Sequence, residues 1–308
     1  MKNITKPCAL TIGKFEGIHV GHQALIREVI QQAQSLNLAS AIMIFEPHPY
    51  IHFQGPDYKP LLTFAERELI IQTTSFPDYV LYCSFSQAFA NQSPKEFCEF
   101  IFSANNAKLV TVGENFRFGK NRAGDIVFLR SEAKRYGAEV RLVPPKMLEG
   151  QIISTTNIRH LIENNRIKEA QTHLGFPFFI SGVVTKGKQI GKTLGFPTLN
   201  IYPPQEKFLP PDGVYATQTK FDGTTHPSIT NIGLRPTFDD VNKVRSVETH
   251  LLHYSGDLYN KHICVEFLEF IRPECRFTSL DELRNQISQD ILYHPANNLF
   301  SSTGEQVN

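Results

Sequence analysis

The hydrophobic period of this 308-residue chain changes once, near residue 175, and that change restricts it to two unlike folded units in tandem. From residue 9 onward, short apolar runs alternate with segments of helical period. ALTI (9–12), AIMIF (41–45), VLYCSF (80–85), KLVTV (108–112) and EVRLV (139–143) are the strand candidates. Thr63 with Glu66, and Ser93 with Pro94 and Glu96, match the capping box, in which side chain and backbone satisfy each other's free donors at a helix start. This alternation predicts βαβ units, a parallel sheet covered by helices on both faces, and ligands at the carboxyl ends of the strands. After residue 176 the runs FFISGVVT, GVYATQTKF, SITNIG, VETHLLHY and HICVEFLEFI, broken by Gly, Pro and Asp, predict an antiparallel barrel or sandwich. Ser279 and Glu282 open a last helix through LDELRNQISQDIL, and the tail SSTGEQVN is expected to fray. The expected domains are therefore 1–175 and 176–300, with 301–308 a disordered tail; Gly175 closes the last helix of the first.

Charge narrows the function by exclusion. A formal net charge of +1, with no block of like charge, argues against a dedicated nucleic-acid partner. Five cysteines without any CxxC spacing fit reduced thiols and a cytoplasmic address. No run of eighteen apolar residues occurs, so no membrane partner is expected either.

Residues 13–22, GKFEGIHVGH, follow the first strand candidate directly, and QALIREVIQQAQSL after them carries Leu25, Ile26, Val29, Ile30, Ala33 and Leu36 on one helical face. The order is strand, glycine-rich turn, helix, with His22 in the first helical turn. Gly13, Gly17 and Gly21 allow a tight turn and close approach, and the helix start offers free N–H groups and partial positive charge, a combination suited to polyphosphate. Two histidines three apart also suit zinc or a solvated turn. The spacing is neither the dinucleotide GxGxxG nor a Walker A loop. His19-Val20-Gly21-His22 resembles instead the HxGH signature of the nucleotidyltransferase superfamily.

Three further segments can join that site. FEPHP (45–49), with two prolines that stiffen the loop and Phe53 close behind, suits a wall for an aromatic ring, though residues such as His48 and Phe53 are, taken alone, more often packing or loop residues than ligands. VGENFRFG (112–119) leaves another strand end with Asn115 among aromatic residues. ISTTNIR (153–159) places Ser154 at a helix N-cap, Thr155 in the first turn and Arg159 one turn on, where hydroxyls, N–H groups and a guanidinium converge as phosphates require; a plain capped helix is the simpler alternative.

In the second half, GVVTKGKQIGKTLGFPTLNI (182–201) punctuates strand-type residues with glycines, among them Gly187 and Gly191, so the backbone can wrap a nucleotide or merely turn. Thr198 and Asn200 offer oxygen ligands suited to hard Mg²⁺. Glu248, in VETHLL, is the leading carboxylate for taking a proton from an alcohol.

Taken in order, GxFxGxHxGH, VGxNFxFG, ISxTxIR, LGFPTxN, GVY (213–215), NIGxRPTF (231–238), ETHLL and IRPExxF (271–277) resemble the bacterial bifunctional riboflavin kinase/FMN adenylyltransferases, also called FAD synthetases, from about residue 9 to residue 293. Lys14, Glu16 and Lys186 depart from that pattern, where Asn, Asp and His are frequent. The resemblance implies a Rossmann-like α/β nucleotidyltransferase domain of the HxGH type, then an antiparallel β-barrel riboflavin kinase domain with a C-terminal helix. It implies ATP as co-substrate, Mg²⁺ as cofactor, riboflavin and FMN as partners, and FMN and FAD as products.

The roles it implies are specific. Glu248 is the general base of phosphorylation, and Thr198 and Asn200 place Mg²⁺. His19 and His22 stabilise charge during adenylyl transfer. Ser154, Thr155 and Arg159 hold the outgoing pyrophosphate, and Gly13, Phe15, Gly17, Gly21, Asn115, Gly187 and Gly191 contact ATP or its phosphates. His48, Pro49 and Phe53 contact flavin. Two other readings stand beside this one: a single-activity adenylyltransferase whose barrel senses flavin, and a metal-dependent hydrolase built on His19, His22 and His48.

Overall fold

The computed structural model describes residues 3–55, 57–74, 76–148, 150–187, 190–235 and 244–296, so the expected tail at 301–308 lies outside the described residues. The chain divides into two compact units: Met1–Thr155 with Glu206–Phe208, and Thr156–Gln205 with Leu209–Asn308.

In the first unit, β1 (Cys8–Gly13), β2 (Ala39–Glu46), β3 (Tyr79–Ser84), β4 (Ala107–Gly113) and β5 (Glu139–Val143) form a parallel sheet in the order β3-β2-β1-β4-β5. The helices are α1 (Val20–Ser35), α2 (Pro49–Gln54), α3 (Phe64–Thr74), α4 (Gln87–Ala90), α5 (Pro94–Glu99) and α6 (Ile126–Arg135). Strand alternation supplies a hydrophobic face on each side. Ala9 and Leu109 pack against Val29 and Ala33 of α1. Cys8, Leu10, Ile12, Val110 and Val112 join Phe97, Leu129 and Ala133 in the core of the opposite face.

Both expected capping boxes form. Ser93 accepts from Glu96 N–H while the Glu96 carboxylate accepts from Ser93 N–H. Thr63 and Glu66 do the same. Helix α2 is not among the helices expected from the sequence; Pro49 sits at its start, where no N–H is needed. A short antiparallel pair, β6 (Met147–Leu148) and β7 (Gln151–Ile152), precedes α7 (Thr155–Glu163) and α8 (Ile167–Leu174), and α8 ends at Gly175 with φ 81°.

In the second unit, β8 (Phe179–Val183), β9 (Leu199–Ile201), β10 (Gly213–Phe221), β11 (Thr224–Arg235), β12 (Val244–Leu251) and β13 (His262–Arg272) make an antiparallel sheet in the order β8-β13-β10-β11-β12-β9. Its two edges meet where Thr185 N–H donates to Asn200 O at 2.9 Å, which nearly closes the barrel. Inside, the buried hydroxyls of Thr217, Thr219, Ser228, Thr230 and Thr249 bond one another at 2.8–2.9 Å across β10, β11 and β12. A one-turn helix, α9 (Ile190–Thr193), lies in the glycine-rich segment.

Helix α10 (Leu280–Leu292) is tied to β13 by Arg272, which donates to both carboxylate oxygens of Asp290 at 2.8 and 2.7 Å. Only half of its expected capping box forms. Ser279 accepts from Glu282 N–H, but the Glu282 carboxylate takes the N–H and hydroxyl of Thr278, one residue outside the expected partner.

One buried ion pair fastens residues distant in sequence inside the first unit. Lys207 Nζ donates to Glu66 Oε2 at 2.6 Å and to Leu61 O at 2.5 Å, and both side chains are 1% exposed. Lys207→Met strips the ammonium from a buried carboxylate and is expected to destabilise the first unit by about 3–5 kcal/mol, most of it recovered by adding Glu66→Gln. Urea denaturation of the full chain checks this; a loss under about 1 kcal/mol contradicts it.

Candidate active sites

In the order β3-β2-β1-β4-β5 the chain leaves β1 and β4, neighbours in the sheet, toward opposite sides, so a crevice opens between their carboxyl ends. Gly13 ends β1 and Gly113 ends β4. The crevice continues into a cleft of about 720 Å³ whose lining includes Gly13, Lys14, Pro49, Phe53, Phe85, Asn115 and Phe116. Gly13, Pro49, Phe53 and Asn115 are thus brought together. Phe53 stands edge-on to Phe85 at 5.6 Å, so the cleft wall is aromatic.

The loop after β1 is held in an unusual backbone path. Phe15 and Ile18 adopt left-handed conformations, φ 46° and 43°, while both side chains are fully buried, so tertiary packing holds what local preference disfavours. His19 then caps α1, a role the sequence reading did not assign: its Nδ1 accepts from His22 N–H at 3.3 Å. The two imidazoles stack at 3.7 Å between centroids, and Phe15 meets His22 edge-on at 5.1 Å. Gly21 eases this close approach, since a Cβ there would lie 3.1 Å from the His19 ring. Gly17 is buried within the same loop.

Burial, and secondly the neighbouring His19, hold the His22 imidazole well below the ordinary histidine range. His22 Nδ1 is buried and takes no hydrogen bond from the protein. His48 lies elsewhere than the cleft lining: it is buried, caps α2 by accepting Tyr50 N–H at 3.3 Å, and faces Glu16 Oε2 across 3.7 Å. Glu16 also accepts from Tyr58 Oη at 2.5 Å and Leu61 N–H at 3.1 Å. Among the described residues no group of three His, Cys, Asp or Glu is placed to hold a metal, so His19, His22 and His48 do not form such a set.

Ser154 immediately precedes α7 and Thr155 begins it, both in the first unit, while Arg159 lies one turn along the same helix, in the second. Ile153 N–H donates to Lys146 O at 3.0 Å, which ties the start of this segment to the loop after β5.

The second unit has a cleft of about 310 Å³ whose lining includes Gly191, Thr198, Asn231, Glu248, Glu274 and Phe277. Strand register explains the convergence. Glu248 stands opposite Asn200 on one side and Asn231 on the other, so three polar side chains share one face across β9, β12 and β11. Asn200 is 2% exposed, and its Nδ2 donates to Thr198 O at 3.3 Å. Gly187 permits this packing, because a Cβ there would lie 2.5 Å from the Asn200 amide. Neither Asn200 nor Gly187 lines the cleft.

Sequence reasoning passed over several residues here. Asn231 Nδ2 donates to Glu274 Oε1 at 3.0 Å, His250 Nδ1 lies 2.8 Å from Pro197 O, and Ser246 Oγ donates to Glu248 Oε1 at 3.4 Å. The period-two count from Glu248 to Ser246 and His250 was the available signal. Lys188 and Gln189 of the glycine-rich segment, and Pro236, Thr237 and Phe238 of NIGxRPTF, lie outside the described residues.

Known proteins match both units. Residues 1–157 match the FAD synthetase family model and residues 174–296 the riboflavin kinase model. The bifunctional riboflavin kinase/FMN adenylyltransferase of Escherichia coli (strain K12) is 36% identical over 287 residues, 92% of this chain and 91% of that protein. The protein of the same description from Haemophilus influenzae is 34% identical over 290 residues, 94% of this chain and 93% of its own. A crystal structure from Streptococcus pneumoniae, described as a macrolide-efflux protein, is 30% identical with a TM-score of 0.83, covering 94% of this chain and 96% of that one. Among the described residues no helix is long and apolar enough to cross a membrane.

The depressed His22 group gives a signed pH dependence. Its folded pKa lies below its unfolded value, so it stabilises the fold above about pH 6.5 and that contribution is lost as pH falls toward the folded pKa. NMR of the His22 ring is expected to show an imidazole that is still neutral where an ordinary histidine titrates. Titration near pH 6.5 contradicts this.

Proposed function

We propose a division of labour between the two units on one premise: the chain belongs to the family of bifunctional riboflavin kinase/FMN adenylyltransferases. It is a transferase that phosphorylates riboflavin with ATP to FMN and then adenylylates FMN with a second ATP to FAD, releasing pyrophosphate. Both family models match, so the reading as a single-activity enzyme with a sensing barrel falls away.

We assign residues 1–175 to adenylyl transfer and 176–300 to phosphorylation. One observation carries the first assignment: the stacked pair His19 and His22 sits at the start of α1 beside an aromatic cleft at the β1/β4 crevice. The flavin ring packs against Phe53 and Pro49, and a phosphate oxygen of FMN attacks the α-phosphorus of ATP. The new P–O bond forms as the bond to the β-phosphate oxygen breaks, and pyrophosphate carries that electron pair away. The histidines and the free N–H groups of α1 offset charge on the phosphates, and Ser154 and Thr155 hold the leaving group. The unpartnered His22 Nδ1 supports this role. His48 contributes by capping the helix that begins with Pro49 and carries Phe53.

In the second unit, Glu248 takes the proton of the ribityl hydroxyl as that oxygen attacks the γ-phosphorus of ATP and ADP departs. Its place in the cleft with Thr198 supports the role. Thr198 hydroxyl and Asn200 amide oxygen are hard donors beside a carboxylate, a set that fits Mg²⁺, which takes few protein ligands. Mg²⁺, when bound there, neutralises phosphate charge during transfer. Gly187 and Gly191 let backbone approach the nucleotide. The five cysteines are all free thiols, which supports a cytoplasmic address.

Replacing both His19 and His22 with Ala is expected to slow FAD formation on the order of a hundredfold or more while FMN still accumulates. Undiminished FAD synthesis from supplied FMN would falsify the role. Glu248→Gln is expected to do the reverse, slowing riboflavin phosphorylation roughly a hundred- to ten-thousandfold with FMN-to-FAD conversion intact. Chromatography of the flavins reads both variants, and a normal phosphorylation rate in Glu248→Gln removes that residue as the base.

A further inference from the structure

An adenylyl-transfer site that packs a flavin ring against aromatic side chains cannot by that contact alone tell FMN from riboflavin, because the two share the ring. The difference is a phosphate, and a cation is what reads it. Among the described residues, four cations, Lys14, Arg117, Lys120 and Arg122, line the first unit's cleft, and no carboxylate does. Three belong to the segment after β4. Lys14 alone follows Gly13 directly, on the loop that leads from the end of β1 to the histidine pair. Phe15, the next residue, already touches His22 edge-on at 5.1 Å, so Lys14 stands where the cleft passes into the phosphate-transfer region.

The ammonium is placed by an aromatic platform. Lys14 Nζ lies 3.6 Å from the centroid of the Tyr50 ring. Tyr50 is itself held edge-on by His48 at 5.3 Å and by Tyr58 at 5.2 Å, and Tyr58 donates to the buried Glu16. That chain of contacts fixes the platform to the same loop that carries Lys14. A phosphate attacking a triphosphate brings two polyanions together, and a positioned point charge between them lowers that repulsion.

We propose that Lys14 reads the phosphate of the flavin acceptor, so that the first unit takes a flavin phosphomonoester in preference to the unphosphorylated flavin. The proposal rests on the adenylyltransferase reading of that unit and assigns it a specificity residue. The test uses the full chain with Lys14→Ala and Lys14→Arg, measuring FAD formation from FMN and ATP. Lumiflavin, which has the ring without the ribityl phosphate, serves as competitive inhibitor. Lys14→Ala is expected to raise KM for FMN about 10- to 100-fold, the range for a lost hydrogen bond to a charged group, with the inhibition constant of lumiflavin unchanged. Lys14→Arg should restore most of the FMN affinity, and riboflavin phosphorylation should stay at the wild-type rate in both.

An unchanged KM for FMN in Lys14→Ala overturns the proposal. So does an equal weakening of FMN and lumiflavin, which would make Lys14 a support for the cleft wall only. Absence of FAD formation by the wild-type protein is a different failure: it overturns the adenylyltransferase reading, and the proposal with it.

Discussion

Everything in the first unit depends on the chain leaving β1 and β4, neighbours in one parallel sheet, toward opposite sides. That constraint opens a crevice no side chain has to create, and it faces the carboxyl ends of the strands. Gly13, Gly113 and Asn115 are there because the strands end there. The start of α1 then supplies N–H groups and partial charge beside it, a combination suited to polyphosphate. The histidine pair refines this site. His19 gives one ring nitrogen to capping the helix, and His22, stacked on it and pushed toward the neutral form by burial, presents an imidazole that adds polarity without a fixed charge.

The second unit reaches its chemistry by another route. In the barrel, register does the gathering: Asn200, Glu248 and Asn231 face the same way because they are directly opposed on adjacent strands. A slip by one residue would turn Glu248 into the barrel interior, where the hydroxyl ladder of Thr217, Thr230 and Thr249 leaves no room for a carboxylate. That ladder therefore helps fix the register, since it makes one register far better satisfied than its neighbours.

Much of this was legible in the chain itself. The change of period near residue 175 separated parallel from antiparallel architecture, and each of the five parallel strands contains or overlaps its candidate run. Motif residues Gly13, Pro49, Phe53 and Asn115 proved to share one cleft, and Gly191, Thr198 and Glu248 another. What stayed hidden depends on pairings across long separations. Lys207 lies in a proline-rich stretch with no period, and its partner Glu66 is 141 residues away, so nothing local marks it as buried. The capping of α2 by His48 and its approach to Glu16 were hidden too, because they depend on helix formation from Pro49. Asn231 and Glu274 meet only because β11 lies beside the segment after β13.

The central claim is that one chain carries two sequential phosphate chemistries, phosphorylation of riboflavin and adenylylation of FMN. Phosphorus NMR of the wild-type protein with riboflavin, ATP and Mg²⁺ tests this directly, because the two steps release different products. The account predicts FMN and ADP first, then pyrophosphate in step with FAD, one for one. Pyrophosphate released from riboflavin and ATP before any FMN forms, or FMN that accumulates with no pyrophosphate at all, would contradict it.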